Sequence, residues 1–150
     1  MFGGMMRVLL LSLVLVLVGT FSWANFKNPW MRACGLEQGQ FWIVKSGSEE
    51  LTMCFFDDAA IGAETLFLFK SHAAETEAVE AYKNRLSTTP VKGGVCGAFG
   101  AELFEGKDNQ GRSTNICRFD DQSLIEETTL WLGAGASNNE ALDRALSKKY

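Results

Sequence analysis

The chain has 150 residues, 47% of them hydrophobic and 21% charged, with a formal net charge of -4 at neutral pH. A length of this order fits one domain, or two small ones sharing a core. The acidic balance argues against nucleic acid or anionic lipid as a partner, since neither attracts an acidic protein.

Residues Met1 to Ala24 carry Arg7 as their only charge, followed by the apolar run Val8 to Val18. Ser22-Trp23-Ala24 offers small residues at the two positions a signal peptidase reads, so we read 1–24 as a signal peptide cleaved after Ala24. The alternative is a retained membrane anchor, but the run is shorter than the ~20 apolar residues that span a bilayer. Cleavage makes the mature chain one unit more negative. Export also decides the reading of the four cysteines, because an even number of thiols in an oxidising compartment is read first as disulfides.

From residue 25 onward the chain reads as one module written twice, 25–88 and 89–150. Cys54-Phe55-Phe56-Asp57-Asp58 returns as Cys117-Arg118-Phe119-Asp120-Asp121, and each copy is preceded by a Cys-Gly pair, Cys34-Gly35 and Cys96-Gly97. If the copies fold alike, Cys34 pairs with Cys54 and Cys96 with Cys117, each closing a loop of about twenty residues at a gain of roughly 3 kcal/mol. Zinc or redox chemistry is the alternative for these thiols. There is no Cys-x-x-Cys, however, and His72 is the single histidine.

In the first copy, Phe41 to Val44 and Leu51 to Phe56 are rich in strand formers and flank the turn-like Lys45 to Ser48, which predicts a hairpin. Thr65 to Phe69, apolar on both faces, predicts a third strand. Ser71 is the expected N-cap of a helix to about Leu86, with Ala74, Ala78, Val79, Tyr82 and Leu86 on one stripe. The segment Ser87 to Gly94 is the natural connector. In the second copy, Ala101 to Phe104 and Ser113 to Phe119 form the hairpin around the turn Lys107 to Gly111. Leu124-Ile125 with Thr128 to Leu132 supply the third strand, and Ser137 to Glu140 is a capping box opening a helix. The expected class is α+β: two tandem β-β-β-α modules, an antiparallel sheet with helices on one face, and one disulfide per module.

Asn28-Pro29, Cys34, Gly39, Cys54 and Asp58 in the first copy, and Cys96, Gly100, Cys117, Asp121, Ser123 and Ile125-Glu126-Glu127 in the second, carry a resemblance. The pattern resembles a small secreted bacterial domain of unknown function that is often labelled a hemolysin. It covers about forty residues of each copy, and the family's Asp-Gly is replaced here by Asp58-Ala59 and Asp121-Gln122. The resemblance implies secretion and no particular catalytic residues.

The polar residues that stand out are Asp57, Asp58, Asp120 and Asp121, where paired carboxylates suit a hard cation or acid/base work. Their structural role would be to end a strand and bond their own turn. Asp108 to Gly111 lacks the alternating ligands of a calcium loop, and His72 after its cap reads as a neutral, exposed imidazole. We expect no metal, no cofactor and no catalytic set. The candidate binding surface is the four aspartates with the turn residues Ser46, Glu49, Lys107 and Asp108. Nine aromatics, Trp30, Phe41, Trp42, Phe55, Phe67, Phe69, Phe99, Phe104 and Trp131, exceed what one inner face needs, which leaves some for an interface. The expected protein is an exported binding module, periplasmic or extracellular, with a protein partner such as an envelope or secreted enzyme that it inhibits. We expect a monomer with internal pseudo-symmetry rather than a dimer. The alternatives are a secreted membrane-active factor and a passive envelope component.

Overall fold

In the computed structural model, residues 28–85 and 94–150 are described. The expected signal peptide and nearly all of the connector lie outside them. Among the described residues no helix is long and apolar enough to cross a membrane.

Asn28 opens the first helix, α1 (Pro29–Leu36), by accepting hydrogen bonds from the amides of Trp30 and Met31 at 3.0 and 3.3 Å, with Pro29 placed where no amide bond is needed. Three strands follow: β1 (Gln40–Ser46), β2 (Glu49–Phe56) and β3 (Ala59–Gly62). Then come helices α2 (Ala63–Lys70) and α3 (Glu77–Lys83). The second half runs α4 (Gly94–Ala98), β4 (Glu102–Lys107), β5 (Ser113–Arg118), β6 (Leu124–Glu126), α5 (Glu127–Leu132), a 3-10 turn (Ser137–Asn139) and α6 (Glu140–Leu146).

All six strands form one antiparallel sheet in the order β1-β2-β3-β6-β5-β4. At its centre Ile61 of β3 faces Ile125 of β6. Two threonine hydroxyls reinforce this junction from opposite sides, Thr65 Oγ1 accepting from the Leu124 amide at 2.9 Å and Thr129 Oγ1 from the Ala60 amide at 3.0 Å. Each satisfies an amide that so short a central pair leaves without a ladder partner.

Period-two alternation divides β2 between two cores. Cys54 and Phe56 point to the helical side, where Leu66, Phe69, Val79, Tyr82, Leu130 and Leu142 pack against Ile61, Ile125 and the cysteines. Leu51, Met53 and Phe55 point the other way and meet Val44, Ala60 and Ile116, with Phe104 and Leu124 at the margin. Among the described residues no helix contributes to the second cluster. The sheet covers it by curling until its edge strands β1 and β4 touch. Disulfides join Cys34 to Cys54 and Cys96 to Cys117, so each tethers a short helix to the strand beneath it.

Several sequence expectations are corrected. Thr65 to Phe69 and Thr128 to Leu132 are helical; the third strands are Ala59–Gly62 and Leu124–Glu126, so of the expected segments only Leu124-Ile125 is a strand. A short apolar run of strand-forming residues does not reveal its own period. In α2 the fully covered side chains Ala63, Leu66 and Lys70 recur at helical spacing, and Phe67 and Leu68 remain half-buried. In α5 the Glu126 carboxylate accepts from the amides of Thr128 and Thr129 at 2.9 and 2.6 Å and fixes the helix start there. Ser71 ends α2, its hydroxyl donating to the Phe67 carbonyl at 2.7 Å, and Thr76 is the cap of the next helix. The capping box at Ser137 does not form. The chain makes a 3-10 turn there, and the Asn139 side chain turns inward, its Nδ2 donating to the carbonyls of Thr129 and Gly133 at 3.0 and 2.9 Å.

Candidate functional site

The two aspartate pairs occupy corresponding turns but do different things. Asp57 and Asp58 form the two-residue turn between β2 and β3, with Asp57 at φ 55°. Both are exposed, and among the described residues their carboxylates make no hydrogen bond or ion pair. Asp120 and Asp121 belong to a turn one residue longer, with the extra residue Gln122 at φ 70°. Asp120 faces solvent. Asp121 reaches across to the other half of the chain, where its carboxylate accepts from the Glu77 amide at 2.8 Å and the Ser123 amide at 3.0 Å, and also from the Ser123 hydroxyl. Ser123 Oγ accepts in turn from the Ala78 amide at 3.0 Å. Asp121 and Ser123 therefore supply acceptors for the opening amides of α3, which the helix cannot satisfy itself.

Burial pushes the Asp121 carboxyl up, but bonds from the Ser123 hydroxyl and the Glu77 and Ser123 amides outweigh it and hold it below the usual carboxylate range. A carboxyl depressed by folding contributes stability that is complete above its unfolded pKa and fades as pH falls through the folded one. Asp121→Ala is expected to cost about 1 kcal/mol at neutral pH, the usual worth of a helix cap. The gap from the parent should begin to narrow as pH drops below roughly 4, where the carboxyl of the unfolded chain takes up its proton, and should close as pH falls through the lowered folded value. Urea titrations at pH 7 and pH 3 check this. An undiminished gap at pH 3 would mean that the carboxylate is not the stabilising group.

The other expected site residues lie along the seam where β1 and β4 meet. Ser46 and Glu49 flank the tight turn at one end, and Lys107 and Asp108 stand at the other, so the two turns do not converge on one spot. Asp108 is only 6% exposed. Its carboxylate points into its own loop, accepting from the Gln110 and Arg112 amides and from Arg112 Nε, each at 2.8 Å. Burial raises its pKa, but those bonds and the guanidinium charge leave it lowered overall. Asp108 thus shapes the loop, and Asn109, Gln110 and Arg112 are what it presents. Lys107 Nζ donates to Ser113 Oγ at 3.0 Å.

Backbones come close at the middle of the seam. A Cβ on Gly106 would press on Val44 Cγ1 and sit 2.8 Å from the Lys45 carbonyl oxygen, so only glycine fits. Side chains cross the seam at both ends. Asn109 donates to Gln40, and Arg118 Nη1 donates to Glu49 Oε2 at 2.6 Å while Nη2 reaches Glu102 Oε2 at 3.3 Å. The Arg118 guanidinium also lies 4.1 Å from the Phe104 ring centroid. A cleft of about 450 Å³ on the outer side is lined by Lys45, Glu105, Gly106, Lys107, Ser113 and Asn115. Another of about 410 Å³ opens at the Asn109 end, between Gln38, Gln40, Asp57 and Arg112.

Sequence reasoning did not single out Arg118, Gly106 or Gln40. Arg118 was findable, since it alternates with Cys117 and must point away from the helical face. The other two depend on a meeting of strands more than sixty residues apart, which no local pattern records. Of the nine aromatics, Phe55 and Phe69 are buried and Trp42 is exposed, with the remainder half-buried. His72 is exposed, with Nε2 2.9 Å from the Tyr150 main-chain oxygen. Among the described residues no three His, Cys, Asp or Glu side chains are grouped to hold a metal ion. Comparison with protein-family models, with curated proteins and with solved structures finds no match to this chain.

Proposed function

We propose that the chain is an exported, disulfide-stabilised binding module acting in the periplasm or outside the cell, with a protein as its partner and inhibition of an envelope or secreted enzyme as its role. The observation that carries this reading is the distribution of exposed apolar side chains. Of the six large ones among the described residues, Trp42, Ile43 and Leu103 stand on the two edge strands, 41%, 42% and 45% exposed. Apolar side chains on sheet edges are costly to leave in water and invite another chain. The buried disulfides support an oxidising compartment.

The reading includes two tandem copies of one module. The recurring order of one helix, three strands and two helices supports it, as do the central Ile61–Ile125 pair and the reciprocal threonine bonds. A fused pair brings two edge strands together within one chain, as dimerisation would for a single copy, and this favours a monomer.

The test is capture of partners by the oxidised mature protein from periplasmic and culture-supernatant fractions, beside Trp42→Glu and Leu103→Glu variants. One protein in stoichiometric amount, lost with both variants, is expected. A partner retained by both would remove the edge strands from the interface. A substrate turned over by the purified protein, with activity lost on Asp121→Asn, would overturn the binding reading altogether.

A further inference from the structure

We propose that the β1–β4 seam is a latch, which opens to let an extended segment of a protein partner pair with the freed sheet edges. The partner half of this inference rests on the binding reading above; the latch itself does not.

Four junctions in the sheet are backbone ladders in register, and the fifth, between β3 and β6, is the Ile61–Ile125 pair flanked by the two threonine bonds. The sixth, between β1 and β4, brings strands into contact with no backbone hydrogen bond among the described residues. The distinction is physical. A ladder satisfies main-chain amides and carbonyls cooperatively, whereas this seam is closed by two side-chain clasps and the close approach at Gly106. Both clasps are accessible. Glu49 and Arg118 are 45% and 22% exposed, so their ion pair is weak and screened by salt. Opening is opposed by the apolar cluster inside the curl, of which Val44 and Phe104 belong to the edge strands. A partner strand that added to β1 or β4 would give the edge the backbone bonds it lacks, and Trp42, Ile43 and Leu103 would give it apolar contacts.

Amide hydrogen exchange on the oxidised mature protein reads the latch directly. The amides of β1 and β4 are expected to exchange faster than those of β3 and β6. Glu49→Gln should speed the edge strands by about threefold, as loss of one exposed ion pair implies, and raised salt should do the same to the parent. Both should leave β3 and β6 unchanged, which also shows that the variant is folded. Arg118→Gln serves as a second variant. Edge strands that ignore both variants and salt would overturn the latch.

The pairing half uses a fluorescent peptide with the sequence of β4, Glu102–Lys107, as the probe strand for β1. It is expected to bind Glu49→Gln about threefold more tightly than the parent, the same factor by which the seam opens. Equal binding to both, or to neither, would overturn pairing at the seam. Failure to capture a natural partner would sink the proposed function and leave the exchange result standing.

Discussion

Lys70→Met is expected to lower the unfolding free energy by about 3 kcal/mol, the scale for removing one member of a buried ion pair. Lys70 is 3% exposed, at the last turn of α2, and its ammonium is fully engaged. It donates to the Glu37 carboxylate at 2.8 Å, to the Ala145 carbonyl at 2.8 Å and to the Lys148 carbonyl, and it lies 5.2 Å from the Tyr150 ring centroid. One cation thereby ties the end of α1, the end of α6 and the segment beyond it to α2. Methionine keeps the stem's apolar packing but leaves a half-buried carboxylate and two carbonyls without their donor.

The companion variant Lys70→Met with Glu37→Leu separates charge from packing. Removing both members leaves no orphaned carboxylate, so the double variant should recover a third or more of the loss, a coupling of about 1 kcal/mol or above in a double-mutant cycle. Urea unfolding of the four proteins supplies the measurement. A single-variant loss below about 1 kcal/mol would put Lys70 in the class of solvated surface cations.

What the sequence revealed divides along the range of the interactions involved. The hairpins were legible, because Phe41 to Val44 and Leu51 to Phe56 have strand composition around a turn. The disulfide partners were legible from the repeated Cys-x-Phe-Asp-Asp pattern with its upstream Cys-Gly and agree with the pairs observed. The first copy's third strand was misplaced, and the second's was right only at Leu124-Ile125, because runs such as Thr65 to Phe69 are too short and too uniformly apolar for their period to show. The signal that was missed lies upstream: Ala59 to Gly62 is apolar throughout, as fits a short strand covered on both faces.

The short helix around each first cysteine was also missed, since Asn28-Pro29 was used only as a family signature although it is a cap followed by a favoured first residue. Lys70 read as an ordinary charged residue, and nothing local distinguishes it. Its burial depends on α6 and on residues near Tyr150 arriving from the far end of the chain. The candidate site shows the same limit. Aspartates visible as turn formers in sequence are turn formers or caps in the fold, and the seam that brings Glu49 to Arg118 is set by the curl of the whole sheet.

Removing either disulfide as a Cys-to-Ala pair is expected to cost about 3 kcal/mol, because the two loops are nearly equal in length, with sequence separations of 20 and 21 between the bridged positions. The local consequences should differ. Helix α4 has five residues and buries only Cys96, so the bridge to Cys117 is its main hold on the sheet. Helix α1 has eight residues, buries Ala33 as well as Cys34, carries its own Asn28 cap and is followed by Glu37, which the buried Lys70 holds. Without Cys96–Cys117, the amides of α4 should therefore exchange at nearly the rate of an unfolded chain while the sheet stays protected. Without Cys34–Cys54, α1 should keep measurable protection, because the Lys70 contact and its packing on α2 remain. Combining that deletion with Lys70→Met should release α1 too. Residue-resolved hydrogen exchange on the oxidised parent, the two pair variants and the combined variant checks this order of release. Equal loss of protection in α1 and α4 on removing their respective bridges would mean that the contacts around Lys70 do not hold α1 independently of the sulfur bond.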